Sequence, residues 1–429
     1  MPTLSQIAFF TTRPSFSTHP SAISFLQLLA RDVKTIDIYS ENDVLRNMTV
    51  PDNLRCISLS GQSSKTGSGK PPEGKNFRSL RSLKDYLKAY RATAFIYDTC
   101  RDVLRRVFID RTAIRRSKSD RRRLFWSSEF LSKVDRYCQS CSYDIAIGLG
   151  QQGLILARLS LPNTRLVYFS DELYYKGHPD LECKRFALEK DLEKQCFQDV
   201  SLVLIQDENR ARLLFKDNDA VYDDRKVCFF PVSWIGSASI KRTDFFIRRF
   251  PELKGKKILL QHGSLVPQRM TGQLMRVSKE CPDRYAMVFH GGLSPYLKND
   301  YRKAKCWLSK PDLPLNHLEE MVAGAYIGLV FYTTDNENDR LIAHSSGQLA
   351  MYLKCGVPII CNAGGTLARL VTNRKCGLAV DNAKEIFKAA DVISKNYKSY
   401  CENSVLCFEA EYRLNNHYKK LLEGFKSIL

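Results

Sequence analysis

The strongest constraint on this 429-residue chain is a regular exchange of short apolar runs with longer amphipathic ones, and the exchange occurs twice. The first series has strand-like runs at Gln6–Phe10, Thr35–Tyr39, Leu54–Leu59, Asp144–Leu149, Arg165–Phe169, Ser201–Ile205 and Val227–Phe230. A stretch rich in Ser, Gly, Pro and charge follows from Pro231 to Lys257. The exchange then resumes at Lys257–Gln261, Ala286–His290, Ile327–Phe331, Val357–Cys361 and Gly377–Val380. Short apolar runs separated by helix-length segments read as parallel strands buried on both faces and joined by crossover helices. Such crossovers are right-handed, so each series winds into a sheet covered by helices on both sides. The expected fold class is therefore α/β, with two doubly wound Rossmann-like domains facing a cleft. In such sheets ligands bind beyond the carboxyl ends of the strands.

The length agrees, being too great for one typical domain. The expected boundaries are 1–235, 236–403 and a terminal helix over 404–429. That helix carries Phe408, Tyr412, Leu414, Tyr418, Leu421, Leu422 and Phe425 at helical spacing. A hydrophobic fraction of 44% excludes wholesale disorder. No apolar run approaches the ~18–20 residues that span a bilayer. The first ten residues have no basic region ahead of a short apolar run, which argues against a signal peptide. Fourteen cysteines without a secretion signal indicate reduced thiols and a cytoplasmic location. Cys138 and Cys141 form one CxxC with no second pair at zinc-site spacing, and so read as structural.

The formal charge of +20 is unevenly placed. Residues 78–136 hold 17 Lys/Arg against 7 Asp/Glu, an excess of 10. Within them Leu80, Leu83, Leu87, Tyr90, Ala94, Tyr97, Cys100, Leu104 and Val107 form one apolar stripe at helical steps. The run Arg115–Arg123, followed by Leu124-Phe125-Trp126, reads as a basic loop with an aromatic edge. A solvated helix face and attachment to an anionic membrane surface both fit. Nucleic acid attracts the same charge but ranks last, because no nucleic-acid-binding signature is present. Ser60 to Asn76 is a Gly/Ser/Lys/Pro-rich surface loop that fails the Walker spacing.

The residues that carry chemistry lie after the strands. Ser345-Ser346-Gly347-Gln348 opens a helix with Leu349, Tyr352 and Leu353 on one side, closed by Cys355-Gly356-Val357-Pro358 and the run to Cys361. Free N–H groups, hydroxyls and the positive end of the helix dipole together match phosphate. This pattern resembles the C-terminal half of GT-B-type nucleotide-sugar glycosyltransferases. The resemblance implies that Ser345, Ser346, Gly347 and Gln348 hold the donor pyrophosphate. His262-Gly263-Ser264, with Arg269 six residues beyond the glycine, resembles the loop whose basic residue neutralises the leaving nucleoside diphosphate. His290-Gly291 is a candidate wall for the base or ribose, and His344 a candidate contact to sugar or phosphate.

On the acceptor side the paired strand ends are Tyr168–Leu173 and Ile205–Arg210. If transfer inverts the anomeric centre, a general base must reach the acceptor hydroxyl, and Glu172, Asp171 and His19 are the candidates. Asp207 reads as a helix N-cap. The chain departs from the group-one glycosyltransferases at their Glu-x7-Glu pair, whose places hold Ala343 and Met351. The ribose contact must then come from elsewhere. The resemblance implies transfer from a nucleotide sugar to a glycan, lipid-linked or protein acceptor, with no cofactor and no metal. The alternatives are a nucleotide-sugar epimerase of the same fold, or a non-catalytic nucleotide- or nucleic-acid-binding protein.

Overall fold

Successive residues of β1 (Gln6–Phe10) enter two different cores. Ile7 and Phe9 join one face of the sheet, and Ala8 and Phe10 the other. A strand wrapped on both sides in this way reads as a continuous apolar run, which is why it is visible in the sequence. The computed structural model describes residues 4–12, 20–45, 48, 50–59, 120–178, 184–310 and 317–429. The stripe over Leu80–Val107, the Ser60–Asn76 loop and His19 lie outside these residues.

The first sheet contains β1, β2 (Thr35–Tyr39), β3 (Leu54–Ile57), β4 (Ile145–Leu149), β5 (Arg165–Phe169), β6 (Val200–Ile205) and β7 (Val227–Phe229). Its order is β3-β2-β1-β4-β5-β6-β7, and every pairing is parallel. The second contains β8 (Lys257–His262), β9 (Tyr285–His290), β10 (Trp307–Ser309), β11 (Ile327–Val330), β12 (Ile359–Asn362) and β13 (Gly377–Val380). Its order is β10-β9-β8-β11-β12-β13, again all parallel. The order reverses between β1 and β4 and between β8 and β11, the two points where doubly wound sheets open a crevice for ligands. Both expected domains are thus present. β10 was not foreseen, because three residues at a sheet edge make no apolar run of their own.

The chain end corrects the expectation of one helix from residue 404. A helix Tyr397–Cys407 continues into a wider π turn, Phe408–Tyr412, and a second helix runs from Leu414 to Ile428. Arg413 between them is extended, with φ −67° and ψ 103°. Phe408 and Tyr412 pack into the second domain, whereas Leu414, Tyr418, Leu421 and Phe425 pack with Leu202, Leu204 and Phe230 of the first. One straight helix cannot present its apolar face to both. Residues 115–119 of the basic run lie outside the described residues, and Arg121 and Arg123 are exposed. Arg122 is paired with Asp120 and Asp135, and Leu124 and Trp126 are buried in the first domain's core. The tryptophan therefore forms no exposed aromatic edge.

Candidate functional site

Two glycines bring the ends of β8 and β9 together. Gly263 has φ +96° and donates its N–H to the His290 carbonyl at 2.9 Å. Gly291 has φ +150°, and a Cβ there would lie 1.8 Å from the Gly263 carbonyl oxygen. No side chain fits at that contact, so the backbone itself walls this corner. His262 and His290 are neighbours in register, and both are buried. His290 Nδ1 lies 2.9 Å from Ser309 Oγ. Burial first, then the neighbouring His290 and Arg269, push His262 down to about 3, so its ring is neutral near pH 7. Ser264 is exposed beside Gly263.

Arg269 ends a short turn, Pro267–Arg269, that is pinned from two sides. Gln261 Nε2 donates to the Arg269 carbonyl at 2.8 Å, and Thr333 N donates to the Gln268 carbonyl at 2.8 Å. The guanidinium Nη1 donates to Tyr332 Oη at 3.2 Å and to Gln348 Oε1 at 3.3 Å, and the group lies 5.1 Å from the Tyr332 ring centre. Tyr332 Oη in turn lies 2.8 Å from Ser346 Oγ.

Ser346 is the N-cap of the helix Gly347–Lys354, and its Oγ accepts from Leu349 N at 3.2 Å. Gln348 is fixed by donating Nε2 to the Leu329 carbonyl at 3.2 Å. The far end closes with Gly356 at φ +61°, where Val357 N donates to the Tyr352 carbonyl and Gly356 N to the Leu353 carbonyl, as a glycine-ended helix does. Arg269, Tyr332, Ser346 and Gln348 therefore form one hydrogen-bonded group at a helix start, beyond the ends of β8 and β11. Cap donors, a helix dipole and a guanidinium converge there, a combination suited to a phosphate. Tyr332 was missed in the sequence. Its signal was position alone, two residues past β11, where a ligand-facing loop must begin.

Ser345 stands apart from this group, in the turn Ala343–Ser345, with its hydroxyl donating to the Ile342 carbonyl at 3.3 Å. His344 lies at the junction of the domains rather than in the Arg269–Tyr332–Ser346–Gln348 group. Its Nδ1 is 3.5 Å from Asp207 Oδ2 and its Nε2 is 3.2 Å from Glu411 Oε2, with the ring stacked 5.5 Å from Tyr412. Burial opposes its charge, but the bonds to the two carboxylates outweigh burial and raise it to about 9. The His344 bond and, against burial, Arg374 hold Glu411 down at about 2. Charged His344 thus contributes stability fully below its ordinary 6.5 and loses it as pH rises through about 9. Glu411 contributes above its ordinary 4.5 and loses it as pH falls toward 2. His344→Gln should destabilise the protein by about 3 kcal/mol at pH 5–6, from the size of the histidine shift. Thermal melts across pH should show the gap to wild type closing by about pH 10. A gap independent of pH would rule out the charge as its source.

On the first domain Asp207 caps the helix Glu208–Asp217, accepting from Arg210 N at 3.0 Å. Arg210 is fully buried, with Nε donating to Gln206 Oε1 at 2.7 Å, while Gln206 Nε2 donates to the Ser170 carbonyl at 2.7 Å. Glu172, Asp207 and Asp171 support its charge against burial, which still lowers its pKa. Asp171 Oδ1 accepts from Glu172 N at 3.1 Å and sits 3.1 Å from where a Cβ on Gly150 would lie. It thus stands at the start of the helix Gly150–Ser160, which has no side-chain cap of its own. Glu172 is exposed.

The spacing Gly148-x-Gly150-x-x-Gly153 makes this approach possible. A Cβ on Gly148 would meet Leu154 N at 2.3 Å, one on Gly153 the Phe10 carbonyl at 2.5 Å, and Gly150 has φ +68°. The structure thus brings Asp171 and Glu172 to the carboxyl edge of the first sheet. The same loop reaches the second domain, where Leu173 N donates to Asn338 Oδ1 at 3.3 Å.

Residues 295–424 match the family model of the glucosyltransferase 3-like C-terminal domain. Anabaena HepE in complex with UDP and glucose superposes with a TM-score of 0.63 at 10% identity, covering 99% of this chain and 100% of that one. Sucrose-phosphate synthase from Thermosynechococcus elongatus gives 0.64 at 11%, covering 99% of each chain. WaaG, a glycosyltransferase involved in lipopolysaccharide biosynthesis, gives 0.60 at 11%, covering 97% of this chain and 98% of that one. No curated protein sequence matches the chain. The fold shared with these structures is GT-B.

Proposed function

We infer that this GT-B protein is a glycosyltransferase that moves a sugar from a nucleotide sugar to an acceptor hydroxyl. The observation that carries the reading is the group Arg269–Tyr332–Ser346–Gln348 at the start of the helix Gly347–Lys354. When the bond from the anomeric carbon to phosphate breaks, its electron pair stays on the phosphate oxygen. Arg269 and the helix start meet that charge in a fixed arrangement, so little reorganisation is needed as it develops. The acceptor oxygen forms the new bond to the anomeric carbon. Its proton passes to an Asp171 or Glu172 carboxylate if configuration inverts, and to the departing phosphate if it is retained. NMR of the product at the anomeric carbon distinguishes the two.

We propose UDP as the nucleotide, because HepE was solved with UDP and with UDP-glucose. The match of residues 295–424 to a glucosyltransferase domain favours transfer over the epimerase and the non-catalytic alternatives. The proposal needs no metal, since the arginine and the helix start supply the positive field. The acceptor would be a glycan, a lipid-linked sugar or a protein. Among the described residues no helix is long and apolar enough to cross a membrane. The working location is cytoplasmic, with the basic region 78–136 against anionic lipid.

Thermal melts with UDP, GDP and CMP test the reading directly. UDP at 100 times its dissociation constant should add about 2.7 kcal/mol of stability. A midpoint unmoved by all three nucleotides would reject the donor site.

A further inference from the structure

The loop that carries Asp171 and Glu172 is not held by its own domain alone. Leu173 offers both backbone groups to one side chain across the cleft. Its N–H donates to Asn338 Oδ1 at 3.3 Å, and its carbonyl accepts from Asn338 Nδ2 at 2.7 Å. Two residues on, Tyr175 Oη accepts from Glu337 N at 2.9 Å. Leu173 and Tyr175 are both buried. Asn338 sits in a single helical turn, Glu337–Arg340, capped by Asn336 Oδ1, which accepts from Asp339 N at 2.9 Å.

That turn is tied to the donor side. Asp339 Oδ2 accepts from Thr333 Oγ1 at 2.9 Å and from Asn336 Nδ2 at 2.8 Å. Thr333 N donates to the carbonyl of Gln268, the residue before Arg269, at 2.8 Å. Hydrogen bonds therefore lead from the loop of Arg269 through Thr333 to Asp339. The turn's own backbone carries the link from Asp339 to Asn338, which bonds the backbone two residues past Asp171. An asparagine amide that bonds both the N–H and the carbonyl of one residue acts like an added strand edge. It fixes position and rotation together, because donor and acceptor on the amide are one rigid plane.

We propose that Asn338 is a positioning residue that sets the acceptor loop Ser170–Tyr175 over the donor site, so that the acceptor hydroxyl meets the anomeric carbon in line. The proposal rests on the glycosyltransferase reading for its catalytic consequence. The mechanical part, that Asn338 holds this loop, stands on the geometry alone. Nucleotide binding is not its task, since Asn338 lies outside the Arg269–Ser346 group.

The test uses the full chain with Asn338→Ala, and Tyr175→Phe as a second variant that removes only the hydroxyl accepting from Glu337. Two readouts are needed: hydrogen exchange of the 170–175 amides, and UDP release from UDP-glucose with and without glucose as the acceptor probe. With two bonds lost, exchange of these amides should rise about tenfold or more, while the dissociation constant for UDP stays within about twofold. Release of UDP that depends on glucose should fall about tenfold, with release to water unchanged, because a misplaced loop costs transfer and not donor activation. Tyr175→Phe should give the same pattern, reduced. Unchanged exchange in Asn338→Ala overturns the mechanical claim. An equal fall with and without glucose, or a matching loss of UDP affinity, overturns the positioning role. If wild type neither binds UDP nor releases it from UDP-glucose, the donor reading fails, and exchange still decides whether Asn338 holds the loop.

Discussion

Arg269→Ala should lower turnover of the nucleotide sugar by about 100-fold or more, the usual cost of removing one fixed electrostatic stabiliser. The effect should fall on kcat as well as on nucleotide affinity, since phosphate charge is greater in the transition state than in the bound donor. The guanidinium is held by Tyr332 Oη and Gln348 Oε1 and stacked beside the Tyr332 ring, so it is already oriented before a ligand arrives. Arg269→Lys keeps the charge but not the planar fork, and should recover only part of the rate. Loss of the side chain leaves the Gln348 and Ser346 contacts to Leu329 and Leu349 in place, so the fold should survive. Steady-state kinetics with UDP-glucose, together with calorimetry of UDP binding, separate the two contributions. Full activity in Arg269→Ala would place the donor phosphate elsewhere.

The acceptor side gives the second large effect. A general base contributes on the order of 10²–10⁴ in rate when it is held within hydrogen-bond reach of the proton it removes. Asp171 Oδ1 accepts from Glu172 N and lies over the start of the helix Gly150–Ser160, whereas the Glu172 residue is more exposed to solvent. For an inverting transfer, Asp171→Asn should therefore lower the rate by about 100-fold or more, and Glu172→Gln should cost less. Neither should weaken UDP binding, because the proposed donor site, Arg269 with Ser346 and Gln348, lies on the other domain. His19, the third candidate, lies outside the described residues, and His19→Ala completes the set. Wild-type transfer in both carboxylate variants, with inversion shown by NMR, would mean that neither is the base.

Much of this architecture was legible because it is written in local signals. Each of the twelve strands named from apolar runs appears within two residues of its expected ends. A strand packed on both faces has no solvent side to interrupt the run. The helix start at Ser346 and its stop at Gly356 were legible for the same reason. A hydroxyl that caps and a glycine that accepts φ +61° act on neighbours three or four residues away. Asp207 belongs to the same class, capping Arg210 N within its own turn.

Contacts between distant parts of the chain follow a different physics. His344 precedes the helix that Ser346 caps, and its ring is held between Asp207 and Glu411, which come from other parts of the chain. Trp126 follows a run of arginines and is nevertheless buried, because its indole fills a core shaped by β-strands far away in sequence. The helix break at Arg413 exists only because two domains compete for successive apolar faces. The sequence by itself determined two parallel sheets, twelve of their strands and the capped helix start at Ser346, all of which depend on residues a turn or a strand apart. Only the tertiary structure decided that Tyr332 bonds both Arg269 and Ser346, that His344 lies between Asp207 and Glu411, and that Asn338 bonds both backbone groups of Leu173. The Tyr332 contact forms when the loops after β8 and β11 meet within the second domain, and the other two form when the two domains meet; no local pattern encodes which side chains will then meet.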